Sequence, residues 1–158
     1  PDDLPRLRQH GLVASMQPIH LATDWFTADR VWGKRARYAY AFRTLLDHGT
    51  SLALGSDAPV APLNPFHGIQ AAVTRQDLEG RPAKGWYPEE KISLAEAIAG
   101  YTVGPARLAG KEAVQGSISP GKWADLIVLE QNIFDIAASD IAQTAVKATI
   151  FDGQIVFQ

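Results

Sequence analysis

The sequence has 158 residues, 46% hydrophobic and 20% charged, which is enough apolar material for one ordinary globular core. A formal net charge of −2 removes any electrostatic reason to expect nucleic acid or an anionic membrane surface as a partner, and no apolar run approaches the ~20 residues of a membrane span. Cysteine is absent, which excludes disulfides and thiolate metal sites and fits a reducing, cytoplasmic compartment.

The chain opens at Pro1 rather than Met, and Pro1 to Gln9 reads as a helix with Asp2 or Asp3 at its start and His10-Gly11 at its end. A start inside an element, without a polar tail, suggests a cut from a larger protein. Leu12 to Met16 is a short apolar run between Gly11 and Pro18 and predicts a buried strand. Trp25, Phe26, Trp32 and Trp86 fall in segments that read as loops, where they would line an apolar pocket or cover a core edge. Gly33 to His48 has near-helical apolar spacing and predicts one helix stopped by Gly49. Ser51 to Gly55 predicts a second short strand.

Strand, helix, strand in that order, with strands too apolar for one wet face, predicts a βαβ unit of a parallel sheet. Residues 58–66 carry three prolines and read as loop. Helices are predicted at His67 to Gln76, Ser93 to Tyr101 and Pro105 to Leu108, with Ser93 and Glu96 forming a capping-box pattern. Beyond Lys111 the texture becomes strand-like at Gly116 to Ile118, Ala124 to Leu129, Ala145 to Phe151 and Gln154 to Phe157. The last pair predicts a hairpin on an Asp152-Gly153 turn.

Gly55-Ser56-Asp57-Ala58-Pro59 is the sharpest chemical feature. A carboxylate at the C-terminal end of a parallel strand lies where barrel and doubly wound enzymes place their sites. It would bind a metal and hold a proton during hydrolysis, or it would cap the next loop or helix; spacing leaves the two readings even. Of the four histidines, His10 and His48 read as exposed helix-end residues, and His67 as a cap or a group reaching into the site. His20 follows Gln17-Pro18 just past the first strand, the counterpart of Asp57 after the second. On adjacent parallel strands Gln17, His20 and Asp57 would share one pocket. No HxH, HExxH, nucleophile elbow or glycine-rich phosphate loop is present, and His20 with Asp57 alone would make an incomplete zinc shell.

The pieces SMQPIH, KRARYAYAFRTLLDHG and LALGSDAPV, followed by ISLAEAIAGYTVGPARLAG, GSISPGKWADLIVLEQNIFDI and ATIFDGQIVF, resemble the amidohydrolase superfamily over nearly the whole chain. The match is to its amidohydrolase-3 branch, which includes N-substituted formamide deformylase. The resemblance implies an α/β fold: the C-terminal portion of a (β/α)8 TIM barrel (residues 1–112) followed by part of a small composite β-sandwich (residues 113–158). Leu12–Met16 and Ser51–Gly55 would be barrel strands seven and eight. Asp57 would be a ligand of a divalent metal, zinc, and the proton shuttle. Gln17 and His20 would bind a small amide-like substrate. The remaining ligands would lie in a missing N-terminal part of the barrel.

On that reading the parent hydrolyses an amide or other C–N bond with metal-activated water. The isolated chain is expected to be inactive, not to retain metal, and to be partly disordered or to self-associate through an exposed sheet edge. The competing expectation is a non-enzymatic α/β module with a structural or binding role. A stand-alone flavodoxin-like domain would need the phosphate loop that is missing.

Overall fold

The computed structural model describes residues 2–158. The first helix, α1, spans Leu4–Gln9, and its N-cap is Asp3. The Asp3 carboxylate makes no capping bond; it pairs instead with Arg6 at 2.6 Å. Strand β1, Val13–Met16, follows the His10-Gly11 stop. Helix α2, Pro18–Trp32, begins directly after it, with Pro18 in the first turn, where its missing N–H costs nothing. The expectation of loops at Trp25, Phe26 and Trp32 is therefore wrong: all three lie on α2. Its apolar residues are spread around the helix, with Leu21 and Ala28 buried but Phe26, Val31 and Trp32 exposed. The single-stripe pattern that marks an amphipathic helix is thus blurred.

The single helix expected over Gly33 to His48 is instead a 3-10 turn, Gly33–Tyr38, and a separate helix α3, Phe42–Asp47. The chain breaks at Tyr40, whose φ is +53°. Two distant groups hold it there: Arg75 Nη1 donates to the Tyr40 carbonyl at 2.6 Å, and the Tyr40 hydroxyl donates to Asp24 at 2.7 Å. Tertiary bonds override the helical periodicity.

Strand β2, Ser51–Leu54, pairs in parallel with β1, Val13 opposite Ser51 through Met16 opposite Leu54. Helix α4, Pro65–Thr74, starts two residues earlier than expected because Asn64 caps it, its Oδ1 accepting the Phe66 N–H at 3.0 Å. Helix α5, Leu94–Tyr101, carries the predicted capping box complete, Ser93 and Glu96 each bonding the other's backbone N–H. Helix α6, Val103–Leu108, follows at once. Glycines let α5 and α6 lie close on β2: a Cβ on Gly100 would stand 2.6 Å from Leu54 Cδ1.

The strand expected at Gly116 to Ile118 does not form; the segment is bends, with Gly116 at φ +89° and Ile118 exposed. Strands β3, Leu126–Leu129, β4, Val146–Phe151, and β5, Gln154–Phe157, make an antiparallel sheet in that order. Asp152 and Gly153, at φ +48° and +74°, turn the last hairpin as the sequence predicts. A 3-10 segment, Ala138–Gln143, ties this region to α4, where the Gln70 side chain accepts the Ala142 N–H at 2.9 Å.

One core cluster joins Leu21, Phe42, Leu45, Leu52, Leu54, Phe66, Ile69 and Trp86 with Ile133 and Ile141 of the second region. Each such side chain contributes about 1.5–3 kcal/mol by leaving water. The fold is mixed α/β, and among the described residues no helix is long and apolar enough to cross a membrane.

Candidate active site

The two parallel strands end side by side, and the chain leaving each of them supplies one polar group to the same rim. After Met16, Gln17 takes an extended conformation at the N-cap of α2 and its carbonyl accepts the His20 N–H at 3.1 Å. That bond closes the first turn and puts His20 one turn into α2. After Leu54, Gly55 donates its N–H to the Met16 carbonyl at 3.1 Å, so the pairing of the strands continues to the rim. Asp57 follows in the left-handed region, φ +59°, and its carbonyl accepts the Val60 N–H at 2.8 Å. Aspartate tolerates this backbone better than most residues, at a cost near 1 kcal/mol.

This geometry brings His20 and Asp57 together. Nε2 of His20 lies 3.9 Å from Oδ2 of Asp57, too far for a direct hydrogen bond. That nitrogen is shielded from solvent and has no partner, whereas the Asp57 side chain is 54% exposed. Most buried polar side-chain atoms are hydrogen-bonded, which makes this unpartnered nitrogen beside an open carboxylate an exception. Gln17 stands partly buried at the same strand end, and among the described residues its side chain forms no hydrogen bond to either His20 or Asp57.

Asp57 does not cap the following helix, since Asn64 caps α4. His10 and His48 sit exposed at the C-caps of α1 and α3, as expected. His67 lies in the first turn of α4, with a buried Nδ1 that also lacks a partner. Tyr101, the last residue of α5, was not legible as a site residue: its hydroxyl donates to the Gly55 carbonyl at 3.4 Å, across 46 residues of sequence. Burial pushes that phenol up to about 12, so it is a neutral donor throughout the physiological range.

The donor chemistry suits a hard or borderline divalent cation in part only. Asp57 offers a carboxylate and His20 an imidazole nitrogen, but among the described residues no three His, Cys, Asp or Glu side chains converge. A catalytic zinc usually takes three protein ligands, so this chain fits as a contributor of ligands rather than as a complete shell.

Known proteins share this arrangement of sequence. The chain is 38% identical over 156 residues to the protein LONG AFTER FAR-RED 3 of Arabidopsis thaliana, covering 98% of this chain and 26% of that protein. It is 31% identical over 141 residues to the N-substituted formamide deformylase of Arthrobacter pascens, covering 87% of this chain and 26% of that enzyme. Its structure superposes on a metal-dependent hydrolase of Pyrococcus horikoshii with a TM-score of 0.75 at 26% identity, over 87% of this chain and 28% of the other. The chain thus spans roughly a quarter of the length of these relatives. The sequence model of the Amidohydrolase family matches residues 1–157, and with that span aligned the chain belongs to the amidohydrolase family.

Proposed function

We propose that this chain supplies one wall of the active site of a metal-dependent hydrolase that cleaves an amide or other C–N bond. The observation that carries the reading is Asp57, held in a strained backbone at the end of β2 with its carboxylate 3.9 Å from the unpartnered His20 nitrogen. In this reading residues 1–112 are the seventh and eighth strands and following helices of a (β/α)8 barrel, and residues 113–158 part of a small β-sandwich. The further ligands come from sequence outside these 158 residues, in keeping with the quarter-length match to the relatives.

A divalent metal, which we propose to be zinc, would supply Lewis acidity and an activated water when bound. Asp57 would be one of the residues that hold it. The same carboxylate accepts the proton leaving the attacking water and returns it to the departing amine nitrogen. His20 and Gln17 face the scissile group and orient it, His20 through its free Nε2. The chain alone, with its ligand set incomplete, neither hydrolyses amides nor keeps metal at working affinity, and its open strand edges favour self-association.

The test is a graft of this chain in place of the matching stretch of the Arthrobacter pascens deformylase. The graft is expected to retain zinc and hydrolyse an N-substituted formamide, and Asp57→Asn to lower kcat by about 10³-fold or more. Full activity in the Asp57→Asn graft removes the assignment. A folded graft without zinc or turnover favours a non-enzymatic binding module instead.

A further inference from the structure

Gly55 is held from two sides, by its N–H to β1 and by its carbonyl to the Tyr101 hydroxyl at 3.4 Å. The same hydroxyl presses against α4. A Cβ built on Gly68 would stand 1.9 Å from the Tyr101 oxygen and 3.0 Å from its ring carbon Cζ. Gly68 is interior to a helix and has no left-handed backbone to excuse it, so glycine there costs about 1 kcal/mol relative to alanine. The space it leaves is the space the hydroxyl occupies. Gly100, one residue before Tyr101, has a similar fit against Leu54, which locks the end of α5 onto the end of β2. A bare aromatic ring would fill the core here equally well. Only the hydroxyl reaches the Gly55 carbonyl, two residues before Asp57.

We infer that Tyr101 is a positioning residue for Asp57: its hydroxyl anchors the Gly55 carbonyl, so that the strained turn at Asp57 presents the carboxylate to His20, and Gly68 is glycine to admit that hydroxyl. The inference rests on the reading of Asp57 as the site carboxylate. Tyr101 itself touches no reacting atom.

The experiment is solution NMR on the deformylase graft described above, with only histidine and aspartate left protonated, reading the nuclear Overhauser contact between the His20 imidazole protons and the Asp57 β-protons. The contact is expected in the unmodified graft and lost in Tyr101→Phe, which removes one oxygen and keeps the ring. Ile98→Val, a methylene deletion on the same helix, is expected to lower Tm and leave the contact intact. If Tyr101→Phe does not fold, Gly68→Ala, which drives the hydroxyl off the carbonyl, is expected to lose the same contact. Adding Tyr101→Phe to Gly68→Ala should recover much of the lost Tm, because the overlapping oxygen is gone. Retention of the contact in Tyr101→Phe, with only Tm reduced, overturns the positioning role and leaves the site reading standing. Absence of the contact in the folded, unmodified graft overturns both.

Discussion

The carbonyl oxygen of Leu52 lies 2.0 Å from the position a Cβ on Gly104 would take, so α6 rests directly on the backbone of β2. No side-chain rotation relieves an overlap with a main-chain oxygen. Gly104→Ala must push α6 away from the strand, with an expected loss of about 3 kcal/mol. Urea unfolding of the variant reads this as a lowered midpoint, and an unchanged midpoint would show that α6 moves off β2 without cost.

Arg75 is fully buried at the left-handed C-cap of α4 and hydrogen-bonds no carboxylate. Its Nε donates to the Trp86 carbonyl at 2.8 Å and its Nη1 to the Tyr40 carbonyl at 2.6 Å, with the guanidinium 5.4 Å from the ring centroids of both Phe42 and Trp86. Lysine cannot make both bonds in the plane of the fork. Arg75→Lys is expected to cost about 3 kcal/mol and to free the Tyr40 turn. Loss of amide-exchange protection around residues 39–41 is the signature to look for.

Asp57 is exposed and strained, so a site role and a stability role make opposite forecasts. Asp57→Gly relieves the left-handed backbone and is expected to raise stability by about 0.5–1 kcal/mol, while removing the proposed ligand. A fall in Tm for Asp57→Gly would mean that the carboxylate serves the fold.

The capping box of α5 gives a pH signature. Burial alone would raise the Glu96 carboxyl, but hydrogen bonds from Arg43 and from the Ser93 backbone and hydroxyl outweigh it and hold the group below the ordinary carboxylate range. A depressed folded value means that the unfolded chain binds protons first on acidification. The stabilisation is complete above the ordinary carboxylate range and disappears as pH falls through the lower folded value. Glu96→Gln should therefore be less stable than the parent at neutral pH and converge with it in acid. Parallel pH–stability curves for the two proteins would contradict the ion pair's contribution. Ser93→Ala should cost about 1 kcal/mol at neutral pH.

What could be read from the sequence was what neighbouring residues decide among themselves. The capping box at Ser93 and Glu96, the Asp152-Gly153 turn, the two short apolar strands and the placing of Asp57 just past the second all depend on a few consecutive positions. His20 could be paired with Asp57 because both follow a strand by the same logic. The break at Tyr40 could not be read, since the bonds that make it come from Asp24 and Arg75. Nor could α2, whose exposed aromatics hide its buried face, or Tyr101, which reaches Gly55 from the far side of a loop and two helices. Local propensity differs by only about 1 kcal/mol between alternatives. Buried bonds and close backbone contacts among distant residues are worth several times that, so wherever the two disagreed the packed structure chose.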